Sequence, residues 1–159
     1  MLKTILGGAV AGGAATWVMD AVTTGMMAGQ AASVTAREEA ARPNGKSTVE
    51  NLIDRLSDEV GWMPGSDERE KVAVAIHYGL GVVPGAAYAL LRHRVPFLGA
   101  GNGLVYGFLL WLFNDEYLST RLGIAGPADA YPSETHLRAL VGHLALGVST
   151  DTGLNVLRS

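Results

Sequence analysis

Cysteine is absent from this 159-residue chain. Its absence excludes disulfides, thiolate metal sites and cysteine nucleophiles. Charge is scarce as well: Asp, Glu, Lys and Arg make up 17% of the residues, against about 25% in soluble domains. The formal net charge is -3, so no basic excess exists to hold nucleic acid. The helical ligand spacings His-x-x-x-His, Glu-x-x-His and His-Glu-x-x-His are missing. So are a phosphate-binding loop and a Ser/His/Asp order. Gly101-Asn102-Gly103 has no strand pattern before it and is not a nucleotide-binding turn. The chain carries no sign of an enzyme.

What it has instead is long apolar runs. Val72 to Leu91 contains no Asp, Glu, Lys or Arg, and charged residues bound it at Lys71 and Arg92. As a helix at ~1.5 Å per residue this run spans about 30 Å, the hydrocarbon thickness of a bilayer. Three further runs have the same character, and the four predicted spans cover about 4–28, 72–91, 97–113 and 134–157. The fourth is the most polar and is expected to turn its polar face inward. The first is too long and too glycine-rich for a signal peptide and is expected to be a retained helix. Glycine accounts for 21 residues. Gly8 and Gly12, Gly25 and Gly29, Gly81 and Gly85, and Gly99, Gly103 and Gly107 recur at four-residue steps, a spacing that lets helix backbones approach closely.

The polar segment between the first two spans holds Arg37, Glu38, Glu39 and Arg42, read as a solvated charge run, and then a turn at Pro43-Asn44-Gly45. Ser47 with Glu50 is a capping-box pattern, and Val49, Leu52, Ile53, Leu56 and Val60 follow at helical spacing. An amphipathic surface helix is therefore expected over about 47–60. The fold class is all-α: an integral membrane four-helix bundle with this one extra helix, in a single domain over 1–159. Lys3, Arg92, Arg94 and Arg158 fall at one end of such a bundle. The segment from Gln30 to Lys71, with nine acids against six bases, falls at the other. The positive-inside rule then puts both termini in the cytoplasm.

That topology places Asp20, His77 and His143 roughly 9–14 Å below the outer surface on three different helices, with Glu116 and His136 nearer the surface. Ionisable groups cost about 2.5–3.5 kcal/mol in a bilayer core on insertion scales, so they face the bundle interior and pair. Three uses follow for the cluster Asp20, His77, His143, Glu116 and His136. It can hold helices together, as hydrogen-bonding histidines commonly do. It can carry protons or cations, because imidazole titrates near neutrality. Or Asp20, His77 and His143 can ligate a divalent metal, zinc or iron.

The opening Leu2-Lys3-Thr4-Ile5-Leu6-Gly7-Gly8-Ala9-Val10-Ala11-Gly12 leading to Trp17 and Asp20, the apolar span with His77, and the late Gly142-His143 resemble small bacterial inner-membrane proteins of the YagU-like type. The resemblance implies a bacterial cytoplasmic-membrane protein and brings no catalytic residue. The functional expectation is a small multi-pass membrane protein with a structural, accessory or oligomer-forming role. Its partners would be the lipid bilayer and a second copy or another membrane protein. A proton- or cation-conducting component using Asp20, His77 and His143 is the first alternative, and a membrane metalloprotein the second.

Overall fold

The computed structural model describes residues 1–157, and among them there is no strand. The long helices are α1 (Leu2–Ala28), α4 (Ser66–Leu91) and α7 (Ser133–Val156). Helix α5 (Leu104–Trp111) runs on without a break through a π-helical segment, Leu112–Leu118, into α6 (Ser119–Arg121). Two shorter helices, α2 (Ala32–Ala41) and α3 (Thr48–Val60), lie between α1 and α4.

The three long helices and α5 pack in the order α4, α1, α7, α5, each antiparallel to the next. Small residues set the contacts. A Cβ built on Gly8 would lie 2.5 Å from the Gly85 carbonyl oxygen and 2.6 Å from Ala89 Cβ. One on Gly85 would lie 2.6 Å from the Gly8 oxygen. Gly12 meets the Gly81 backbone, and across the bundle Gly103 meets Gly147 while Gly107 meets His143. Any side chain at these points would push the helices apart. Gly103 also has φ +91° at the residue before α5, a left-handed conformation that glycine adopts without strain. Gly25 and Gly29 differ: neither packs against another helix.

These contacts bring the N-terminus, the turn after Arg92 and the last turn of α7 to one end, here the inner end. Residues 29–65 and 122–132 cap the other, outer end. Arg158, counted above among the inner-end charges, lies outside the described residues.

Several boundaries differ from the sequence reading. The third apolar run does not become a helix at Phe97. Pro96–Gly99 is a 3-10 turn, and Gly101, Asn102 and Gly103 all have positive φ. The helix therefore starts at Leu104 and carries Asn114, Asp115 and Glu116 inside its π segment rather than at its end. The charge run lies in helix α2, with Arg42 at its C-cap, and Glu38 in it is buried rather than solvated. Helix α3 forms where expected. Ser47 Oγ accepts from the Glu50 N–H, Glu50 returns a bond to the Ser47 N–H, and Gly61 ends the helix in the left-handed conformation.

Two of the four expected spans, α1 and α4, are helices long and apolar enough to cross a membrane. The third is helical only from Leu104, with α5 just 8 residues long before the π segment, and α7 carries too many polar residues. In α1 and α4 only 28% and 22% of the most apolar window is buried. Trp17 and Val83 point outward at 66% and 68% exposure, as do Leu6, Val10 and Val74. The core helix of a soluble protein would bury such a surface.

Candidate functional site: a cavity between the helices

A cavity of about 450 Å³ opens in the outer half of the molecule. Pockets of roughly 300–1,000 Å³ hold small molecules. Its inner end is closed by Thr16 of α1, Gly81 of α4, Leu110 of α5 and Leu146 of α7. Helix α3 covers it with Val49 and Leu52. Its polar wall comes from the π segment, which presents Asp115 and Glu116, and from α7, which presents His136 and His143 seven residues apart. A π-helix is rare and tends to mark functional positions. Here it sets two neighbouring carboxylates against two imidazoles.

The two pairs are not equivalent. His136 Nδ1 lies 2.6 Å from Glu116 Oε1, and its Nε2 lies 2.9 Å from the Ala128 carbonyl oxygen. The Ala128 carbonyl only accepts, so Nε2 donates to it, while Nδ1 shares a hydrogen bond with the Glu116 carboxyl. His143 is buried, and its Nδ1–H donates to the Ala139 carbonyl oxygen at 3.0 Å. Asp115 Oδ2 stands 3.6 Å from that same nitrogen, a Coulombic approach too long for a hydrogen bond. Among the described residues, His143 Nε2 and the Asp115 carboxylate have no hydrogen-bond partner.

The remaining charges near the cavity are spent on each other. Glu38 accepts from Arg138 Nη2 with both oxygens at 2.8 Å, and from Arg42 Nη2 at 3.0 Å. Thr135 Oγ1 also donates to it, at 3.2 Å. Burial pushes the Glu38 carboxyl up, but the Arg138 and Arg42 hydrogen bonds outweigh it and hold the group below its ordinary value. Arg138 Nη1 donates to Gln30 Oε1 at 2.5 Å, so the start of α2 is pinned to α7. On the α1–α4 seam His77 Nε2 lies 2.8 Å from Asp20 Oδ1, and both side chains are partly exposed.

Asp20 and His77 therefore meet, as do Glu116 and His136. The third member of the expected metal set does not join the first two. Gly142 of α7 faces Met19 and Thr23 of α1. The next residue, a helical step of about 100° away, is turned toward α5 and the π segment. His143 thus approaches Asp115 and not Asp20. Among the described residues no group of three or more His, Asp or Glu side chains could hold a metal ion. The set Asp20, His77 and His143, expected to be able to ligate zinc or iron, is not brought together as one group in the structure.

A second buried polar group, near the inner end, was not expected from the sequence. Arg92 Nη1 donates to Asp151 Oδ1 at 2.7 Å and Nη2 to Asn155 Oδ1 at 2.9 Å. Tyr88 Oη donates to Asp151 Oδ1 at 2.6 Å, and the Tyr88 ring stacks on Tyr106 at 4.3 Å. Its signal was an arginine directly after an apolar run and an aspartate inside the last one.

No protein-family model, curated protein or solved structure matches this chain.

Proposed function

We propose that the chain is an integral protein of the bacterial cytoplasmic membrane with a non-enzymatic, accessory role. In this reading α1, α4, α5 with its π continuation, and α7 cross the bilayer as a four-helix bundle, and α2 and α3 cap its outer end. The observation that carries it is the outward-facing apolar surface of α1 and α4, whose apolar windows are about three-quarters unburied. Water gives such a surface no favourable environment, whereas lipid does. Helix α7 fits the same picture. Its polar residues Arg138, His143, Thr150 and Asp151 are buried among the other helices, so its composition does not bar it from a bilayer. Lys3 and Arg94 at the inner end favour cytoplasmic termini. The YagU-like resemblance points to the same membrane.

The glycine stripes weigh on the partner. Gly8, Gly12, Gly81, Gly85, Gly103, Gly107 and Gly147 are used up inside the chain. Self-association through them would require unpacking the bundle, which favours a different membrane protein over a second copy as partner.

Extraction tests the location. After alkaline carbonate washing, the protein should stay with the membranes and float with them in a density gradient. Release into the supernatant would overturn the reading.

A second reading, conduction of protons or cations, draws on three carboxylate–imidazole contacts in the outer half: Asp20–His77, Asp115–His143 and Glu116–His136. It requires pH-gradient-driven flux in liposomes that Asp20→Asn abolishes.

A further inference from the structure

We propose that the inter-helix cavity is a binding site for a small organic ammonium ion carrying an apolar group. The inference goes beyond the membrane assignment and does not depend on it. It starts from which charges in the cavity are already answered. Glu38 is held by Arg138 and Arg42, Glu116 by His136, and Asp20 by His77. Asp115 is left. Its carboxylate accepts no hydrogen bond among the described residues, and its side chain retains 37% exposure, so a ligand can reach it.

The second observation is His143. Its side chain is only 8% exposed, yet it lines the cavity. Its Nδ1–H is committed to the Ala139 carbonyl, and Nε2, without a hydrogen-bond partner among the described residues, offers a lone pair in the neutral tautomer. Nε2 is not one of the sealed, unmet polar atoms of the described residues, which are Arg92 Nε, Tyr106 Oη and Trp111 Nε1, so a ligand N–H in the cavity can reach it and donate to it. A carboxylate beside an imidazole acceptor calls for a group that is both positively charged and rich in N–H donors. A primary ammonium has both properties. A quaternary ammonium lacks the donors, an alcohol lacks the charge, and a carboxylate ligand meets like charge.

The rest of the cavity sets the other half of the ligand. Leu52 and Val49 above, Leu110 and Leu146 below, and Leu80 at the side are apolar. They would enclose a hydrocarbon body of ring or short-chain size, whereas a bare metal ion or an inorganic cation would leave them facing water.

The experiment is equilibrium titration of the detergent-purified full chain at pH 8 with cyclohexylammonium. Cyclohexanol, cyclohexyltrimethylammonium and cyclohexanecarboxylate serve as comparisons. Wild-type protein should bind cyclohexylammonium at least about ten-fold more tightly than each of the other three, since a charge-assisted hydrogen bond is worth more than that. In Asp115→Asn, the preference for the ammonium over the alcohol should fall to near unity. Equal affinity for the ammonium and the alcohol, no binding of the ammonium, or an undiminished preference in Asp115→Asn would each overturn the proposal. If Asp115→Asn does not fold, the wild-type series decides alone.

Discussion

Arg92 and Asp151 meet at 2.7 Å between the end of α4 and the last turns of α7, both buried. These two helices have few other contacts with each other. The ion pair, with Tyr88 donating to Asp151 and Asn155 bonded to both partners, ties the two helices at the inner end, and Arg92 Nε alone of its donors is buried without a partner.

Removing one partner strands the other as a buried charge. Asp151→Ala is expected to destabilise the protein by about 3–5 kcal/mol. The double variant Arg92→Met/Asp151→Leu, which removes both charges, should recover most of that loss. Chemical denaturation in detergent micelles, followed by circular dichroism, measures both. Equal stability of Asp151→Ala and wild type would show that the pair contributes nothing.

The glycine contacts predict a contrast between positions. Gly12→Ala places a methyl group against the Gly81 backbone, which has no side chain to move away. A loss of about 1–3 kcal/mol is expected from overpacking. Gly25→Ala meets open space inside a helix, so it should raise stability by roughly 0.5–1 kcal/mol. Opposite signs in thermal unfolding midpoints are the check.

Glu38 gives a pH dependence at the outer end. Its folded value lies below the ordinary 4.5, so in the folded state the carboxylate is favoured. The stability it contributes is fully present above about 4.5 and is lost as pH falls through the lower folded value. Proteolysis or hydrogen exchange within α2 should therefore stay slow down to pH near 4.5 and accelerate below it. Glu38→Gln should speed α2 opening at pH 7 and flatten that profile.

The helices were legible because their signals are local. Ser47, Glu50 and the spacing of Leu52, Ile53 and Leu56 specify α3 within one short segment. The run from Val72 to Leu91 specifies most of α4. Asp20 and His77 could be paired because they fall at the same depth on neighbouring helices. What stayed hidden depends on rotation about the helix axis. One step separates Gly142, which faces α1, from His143, which faces α5, and hydropathy does not record that step. Glu38 and Arg138 are a hundred residues apart, and nothing local to either names the other as its partner. The π segment has no sequence signature, so Asp115 and Glu116 read as a helix end rather than the wall of a cavity.

The membrane assignment is tested most directly by the reach of water to the apolar face. The chain has no cysteine, so single thiols can be placed in a clean background. Val83 and Met63 are both open to the surroundings in the structure, at 68% and 94% exposure. Val83 lies in mid-α4, and Met63 precedes that helix. In native membranes, Met63→Cys should react rapidly with a charged maleimide and Val83→Cys should not, because lipid covers it. Rapid labelling of Val83→Cys, matching Met63→Cys, would mean that water bathes the apolar face and would contradict the account.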